Sequence, residues 1–251
     1  LAELNERLDG HLVFEKGDPL TLLIELASQT GASQLVWNRC YEPWRIERDI
    51  AIKQHFRAID GSDTSSARTK VARIEVQSFN SASLFEPLNV LKEDGSPYRV
   101  FTPFYHRACL GRAHEPRKPS DLPDKLNLKH CQRLTLSELD LMPTIPWYDG
   151  IQAQWKPGEV GAQDRLRDFL DSGLTGYKEG RDFPDREKVS RLSPHLHYGE
   201  VSPNDVWYAA KAAMALDGAE TDGEHFLREL AWREFSQSLL YHFPYIPKTN
   251  L

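Results

Sequence analysis

The sequence has few of the features that mark membrane, secreted or metal-centred proteins. No apolar run approaches the roughly 20 residues of a membrane helix, and the first residues, LAELNERLDG, lack the basic and apolar regions of a signal peptide. The three cysteines, Cys40, Cys109 and Cys131, lie far apart and form no CxxC pair. This spacing argues against a disulfide framework and against a zinc site. We therefore expect a protein of the reducing cytoplasm or nucleus that holds no metal and no membrane span.

An excess of positive charge and the common catalytic motifs are also missing. The formal net charge is −6 over 251 residues, so only a local basic patch would attract nucleic acid. The sequence contains no GxGxxG, GxxxxGK[ST], GxSxG or HExxH motif, which removes the usual signatures of dinucleotide-binding, phosphate-loop, hydrolase and zincin proteins. The length allows one large domain or two modest ones.

The sequence up to about residue 80 alternates helix and strand signals. In GDPLTLLIELASQTGA, Asp18 is placed to cap a helix, Pro19 suits its first position and Gly31 suits its end. A buried strand is predicted at 33–38, a charged helix at 43–56 and a second strand at 72–80. Strands separated by helices predict a parallel sheet of βαβ units. We therefore expect an α/β, Rossmann-like domain over residues 1–110.

The rest of the sequence shows a different pattern of turn and helix signals. Turn residues and prolines predict a connector over 111–150. Helical patterns then dominate 151–251 and predict an all-α domain, with helices at 158–174, 202–216 and 221–243. The polar stretch at 60–71 is interpreted as a surface insertion.

One predicted helix combines unusual residues on one face. In FLRELAWREFS, the residues Glu229, Trp232, Arg233 and Ser236 stand at i, i+3, i+4 and i+7, which aligns a carboxylate, an aromatic surface, a guanidinium and a hydroxyl. The alternative is an ion pair between Glu229 and Arg233 beside a half-buried tryptophan, which would stabilise the helix by only a few tenths of a kcal/mol. Spacing alone favours this alternative.

A second stretch, YKEGRDFPDREKVSRLSPHLHYGEVSP, places serine hydroxyls and an arginine just before a helix start. Such groups suit a phosphate or pyrophosphate, although serines at helix starts are mostly caps. The HxH pair of His195 and His197 would face one side of a strand and could bind metal. No third ligand is near in the sequence, so hydrogen-bonded or surface histidines are expected instead.

Taken together, these segments resemble the DNA photolyase and cryptochrome family. Seven segments occur in the family's order, namely WNRCYEPWRIERD, SLFEPLNVL, GSPYRVFTPFYHRA, WKPGEVGAQDRLRDFL, GYKEGRDFPD, SRLSPHLHYGEVSP and ELAWREFSQSLLYHFP. The resemblance implies an N-terminal α/β antenna domain, a connector and a helical FAD domain. It also implies a partial chain that lacks the family's first strand and the later part of the FAD domain.

The resemblance assigns roles to individual residues. Tyr177 matches a position that contacts FAD, and Phe226 one that packs near the flavin. The family's TSRLS flavin motif reads here as Val189, Ser190, Arg191, Leu192 and Ser193, so its first hydroxyl is lost. Arg181 matches a position that contacts the DNA backbone. Glu229 and Trp232 match catalytic, lesion-facing positions, and Arg233 and Ser236 lie on the same DNA-binding stripe.

The implied activity is light-driven repair of cyclobutane pyrimidine dimers in UV-damaged DNA by a monomer that uses reduced FAD. Glu229 favours this lesion, because enzymes for the (6-4) lesion tend to carry Gln there. A blue-light cryptochrome and an inactive flavin- or nucleotide-binding module remain as alternatives. Where some folate-binding members place Asn-Glu, this sequence has Trp44 and Arg45, so the antenna pigment stays open between methenyltetrahydrofolate, a deazaflavin and none.

Overall fold

The computed structural model describes residues 1–58, 74–110, 134–217 and 219–250. These residues form two compact units. One contains the described residues of Leu1–Trp37, Trp44–Phe79 and Pro119–Gln154, and the other those of Asn38–Pro43, Asn80–Lys118 and Trp155–Leu251. We call them the α/β unit and the helical unit.

The elements of the α/β unit are helix α1 (Ala2–Arg7), helix α2 (Pro19–Thr30), strand β1 (Gln34–Asn38), helix α3 (Pro43–Ala58), strand β2 (Glu75–Phe79), a 3-10 turn (Ser137–Leu139) and helix α5 (Asp149–Gln154). From α2 to β2 they follow the predicted order of helix, strand, helix and strand, and helix α1 precedes them.

Helix α2 begins and ends where its sequence predicts. The Asp18 carboxylate accepts hydrogen bonds from the Thr21 backbone N–H at 2.9 Å and from the Thr21 hydroxyl at 2.8 Å. These bonds hold the pKa of Asp18 below its usual value. Gly31 ends the helix in the left-handed conformation at φ 66°, which glycine adopts without the steric cost that a side chain would bring. The local chemistry of the two ends is thus sufficient to define this helix.

The two strands are neighbours in a small parallel sheet, as the βαβ pattern predicts. Both strands alternate between exposed and half-buried residues, so the prediction of a buried strand at 33–38 is wrong. One face of the sheet packs on a small apolar cluster. Its buried members are Ile52, Phe56 and Ile74, with Leu20, Leu23 and Ala27 of α2 packed against them. Ile50 of α3, two residues before Ile52, is 49% exposed and lies outside this cluster.

The helical unit has these described elements: a 3-10 turn (Pro87–Asn89), helix α4 (Phe101–Phe104) continuing as a π-helical turn (Tyr105–Cys109), helix α6 (Glu159–Asp168) continuing as a π-helical turn (Phe169–Gly173), and helices α7 (Tyr177–Gly180), α8 (Ser193–Tyr198), α9 (Pro203–Asp217) and α10 (Glu220–His242). The predicted helices at 158–174, 202–216 and 221–243 correspond to α6 with its π-turn, α9 and α10.

The core of the helical unit is built around α10. This helix contacts α4, α7, α9 and the 3-10 turn at Pro87–Asn89. Aromatic residues from 84–105 therefore pack in the same core as Phe226 and Phe235 of α10. For that reason the structure groups residues 80–110 with the helices, whereas the predicted domains place their boundary after residue 110.

Some sequence predictions fall outside the described residues. The insertion at 60–71 and the first part of the connector, residues 111–133, belong to this group. Among the helices of the described ranges, none combines the length and the apolar character that crossing a membrane requires.

Gly161 lies in the first turns of α6 because a larger residue does not fit there. A Cβ atom at this position would lie 1.8 Å from the Lys156 carbonyl oxygen, which is backbone and cannot rotate away. We expect Gly161→Ala to lower the free energy of unfolding by about 1–3 kcal/mol, a typical cost of overpacking. Urea unfolding of the variant measures this cost.

The matched control is Gly150→Ala, in α5, where an added Cβ would meet nothing within 4 Å. This variant should be neutral or slightly stabilised, since alanine has the higher helix propensity. Equal stability of the two variants would contradict the proposed clash.

Candidate functional site

All the predicted site residues lie in the helical unit, on three segments. Tyr177 and Arg181 are on and just after α7, residues 189–193 lead into α8, and the remaining residues are on α10. Specific contacts join α7 to α10 and join α10 to residues 82–101.

Tyr177 and Phe226, predicted to contact or adjoin the flavin, are buried in an aromatic cluster. Their side chains are 7% and 3% exposed, and their ring centroids lie 5.5 Å apart at nearly right angles. Phe169 contacts both rings. Burial is the main cause that raises the pKa of Tyr177, partly offset by the nearby Arg181 guanidinium. The two residues thus fix α7 against α10.

Arg181 and Glu229 form an ion pair between the two helices. The Arg181 Nη1 and Glu229 Oε1 atoms are 2.5 Å apart, and the side chains are 30% and 38% exposed. The hydrogen bond to Glu229 is the largest cause that raises the pKa of Arg181. The alternative suggested by spacing, a pair between Glu229 and Arg233, is therefore wrong, because Glu229 has a partner outside its own helix.

Arg233 contacts backbone and an internal carboxylate. Its Nη1 donates to Glu234 Oε1 at 2.7 Å and its Nη2 donates to the Ala82 carbonyl at 2.6 Å. Glu234 is buried, and its Oε2 accepts from the Leu84 N–H at 2.8 Å. The Arg233 guanidinium thus ties α10 to the segment at 82–84. Sequence reasoning assigned no role to Glu234, although this residue lies in the segment ELAWREFSQSLLYHFP that carries the resemblance.

Trp232 is exposed on one side and supported on the other. The side chain is 44% exposed, and its ring lies parallel to the Phe101 ring with a centroid distance of 3.7 Å and an interplanar angle of 8°. The Ser236 hydroxyl, predicted on the same stripe, donates to the Trp232 carbonyl at 2.8 Å and so bonds to its own helix. The stripe therefore presents an aromatic face beside an ion pair.

The segment at 189–193 is anchored by one residue. Leu192 is 1% exposed, whereas Val189 is 39% exposed and Ser190, Arg191 and Ser193 are at least partly accessible. Ser190 Oγ accepts from the Leu192 N–H at 3.4 Å, and Arg191 has a left-handed φ of 52°. Two hydroxyls and a guanidinium are thus held near the surface at the start of α8.

A cavity of about 320 Å³ adjoins this segment. Val189 and Arg191 line it together with Arg165 of α6, and the carboxylates of Asp168, Asp171 and Glu187 line it as well. Charges of both signs therefore face the cavity, so its charge alone does not select an anion.

His195 and His197 lie on α8 rather than on a strand. His195 is 3% exposed, and its Nδ1 is 2.6 Å from Glu200 Oε2. This contact gives the buried imidazole a structural partner. No cluster of potential metal ligands occurs in the described parts of the chain.

Comparisons with known proteins agree on one family. Residues 1–123 match the family model described as DNA photolyase. The deoxyribodipyrimidine photo-lyase of Agrobacterium fabrum is 42% identical over 253 residues, which cover 100% of this chain and 50% of that protein. Cryptochrome-1 of Arabidopsis thaliana is 30% identical, over 91% of this chain and 33% of its own length. The chain belongs to the DNA photolyase and cryptochrome family.

A solved structure gives the same result for the fold. The class III photolyase of Agrobacterium tumefaciens matches with a TM-score of 0.85 and 41% identity, over 100% of this chain and 50% of that one. The chain thus spans about half the length of these relatives. The predicted combination of an α/β part and a helical part is confirmed.

Proposed function

We propose that the full-length protein is a DNA photolyase that uses blue light and reduced FAD to split cyclobutane pyrimidine dimers. The observation that carries the proposal is the exposed face of Trp232 on α10, next to the Arg181–Glu229 ion pair. Relatives named deoxyribodipyrimidine photo-lyase support the proposal, and they also support a lyase activity for the full-length protein.

The residues available for FAD are those around the start of α8. Accessible hydroxyls of Ser190 and Ser193 and the guanidinium of Arg191 suit a pyrophosphate, since charge-assisted hydrogen bonds to phosphate are strong. Val189 supplies no side-chain hydrogen bond, so its backbone N–H is the group left to donate. When bound, reduced FAD supplies the photoexcited electron that opens the cyclobutane ring. The chain's own contribution is placement and electrostatics.

Trp232 would hold the damaged bases. An enzyme that acts on a base takes it out of the helix stack, at a cost of about a few kcal/mol that is lower at a damaged site. A π-face offsets part of this cost, because stacking on an aromatic side chain contributes about 1–3 kcal/mol per base. The support by Phe101 leaves the opposite face of Trp232 for this contact.

Glu229 and Arg181 would meet the polar parts of the substrate. A phosphate can replace Glu229 as the partner of Arg181, which frees the Glu229 carboxyl to share a proton with the carbonyl and imide groups of the pyrimidines. Arg233 and Ser236 direct donors to Ala82, Glu234 and the α10 backbone, and a DNA contact by either residue stays a prediction. An antenna pigment, methenyltetrahydrofolate or a deazaflavin, would add light absorption without changing these roles.

The test is an assay of the purified full-length protein. We expect a flavin absorption band and light-dependent loss of cyclobutane dimers from irradiated DNA, with no loss in the dark. Flavin together with intact dimers after illumination would instead support the cryptochrome function, which the similarity to Cryptochrome-1 also allows. Absence of any flavin would leave a nucleotide-binding module without light chemistry.

A further inference from the structure

The Trp232 ring stacks on the ring of Phe101, a residue that no sequence motif assigns to the site. Phe101 is 6% exposed, and its ring faces that of Trp232 in parallel at 3.7 Å. Trp232 also meets Phe235 edge-on at 5.8 Å. One face and one edge of the indole are therefore in contact with fixed rings, and 44% of the side chain is open.

Phe101 itself is held from several directions. Its ring is parallel to that of Tyr105 within 18° at 5.7 Å, and it meets Phe235 at 67° and 5.8 Å. The Arg228 guanidinium lies 5.7 Å from the Tyr105 ring. Tyr105 and Phe235 are themselves buried. Because close-packed interiors allow little displacement, the plane of the Phe101 ring is fixed by its surroundings.

We propose that Phe101 is a positioning residue for substrate binding, because it sets the plane in which Trp232 presents its open face. The proposal rests on the proposed function, in which that face stacks on a damaged base. When the Trp232 rotamer is fixed before binding, the side chain loses no conformational entropy as a base stacks on it. Affinity therefore rises only for a ligand that stacks on this face. Undamaged DNA, whose bases remain in the duplex, does not use the face. Phe101 thus contributes to the preference for damaged DNA.

The ordinary explanation is that Phe101 is only a core residue, and the chain contains a control for it. Phe104 lies on the same short helix and is 1% exposed. Its ring packs on Phe235 at 5.1 Å and on Tyr98 at 6.0 Å, and Trp232 is not among its ring contacts within the described residues. Removal of the Phe101 ring or of the Phe104 ring leaves a cavity in the core, but of these two residues only Phe101 contacts Trp232.

The experiment compares Phe101→Leu with Phe104→Leu in the full-length protein. Dissociation constants are measured for a duplex with one cyclobutane dimer and for the same duplex without it, and thermal midpoints record the stability of each variant. We expect Phe101→Leu to lower the damaged-to-undamaged preference by about two- to tenfold, the range of one aromatic contact, and Phe104→Leu to leave it unchanged. Phe101→Met, which keeps volume but offers no ring, serves if the leucine variant does not fold, with the same expected loss.

Two other outcomes separate the proposals. A wild-type protein that binds both duplexes equally would overturn the proposed function itself. A wild-type preference that survives Phe101→Leu, or that falls equally in Phe104→Leu, would overturn the positioning role and leave the proposed function standing.

Discussion

Replacement of Trp232 with alanine is expected to weaken binding of dimer-containing DNA by about 10- to 100-fold, because stacking contributes about 1–3 kcal/mol per base. Binding of undamaged DNA should change little, since it depends mainly on phosphate contacts that the indole does not make. More than half of the residue is buried against Phe101 and Phe235, so the thermal midpoint of the variant is measured to separate a loss of stability from a loss of stacking. Fluorescence anisotropy with the two duplexes measures both constants in the full-length protein.

The matched control is Tyr198→Ala in the same unit. Tyr198 is an aromatic residue that is 77% exposed on α8, away from the stripe on α10. Its loss should leave both dissociation constants near the wild-type values. If Trp232→Ala weakened both duplexes to the same extent, the residue would belong to folding rather than to lesion recognition.

The stability of the protein is expected to fall as the pH rises from about 4.5 to 7, because of Glu234. Burial raises the pKa of this carboxyl from 4.5 to about 7, although the Arg233 charge and the N–H groups of Phe85 and Leu84 act in the opposite direction. In that interval the unfolded chain releases a proton that the folded chain retains. Deprotonation therefore favours unfolding, by on the order of 3 kcal/mol above pH 7.

Glu234→Gln should remove this pH dependence, because an amide keeps the shape of the side chain and does not titrate. Urea unfolding at several pH values between 4 and 8 measures the slope. The control is Glu224→Gln, an exposed position on the same helix, which should keep the wild-type slope since Glu234 is intact. A slope that persists in Glu234→Gln would assign the effect to other groups.

Features with local causes were predictable from the sequence. Asp18 and Gly31 define both ends of α2 by contacts within a few residues, and the prediction is confirmed. Burial of the first strand was predicted wrongly, because it depends on which elements cover the sheet, and apolar composition does not contain that information. The helical pattern of α10 was equally clear, but it did not reveal the partners of its charged residues.

The candidate site shows the same limit. Helical spacing paired Glu229 with Arg233, yet both side chains have stronger partners elsewhere, Arg181 for one and Glu234 with the Ala82 carbonyl for the other. Phe101 was missed because one aromatic residue among several in a short helix is normally interpreted as core. Its parallel stack with Trp232 depends on two ring orientations that only packing determines.

The contacts between α10 and residues 82–87 also bear on how the helical unit folds. Hydrogen bonds join this segment to α10 across sequence separations of 150–155 residues. The pairs are Ala82 with Arg233, Ser83 with Gln237, Leu84 with Glu234, and Pro87 with His242. Contacts of such long range slow folding, because a large loop must close before they form. On the ribosome, the earlier segment is synthesised long before its acceptors and donors on α10. The stack of Trp232 on Phe101, which the proposed function assigns to the damaged base, is therefore completed only when α10, the last described helix, has been made.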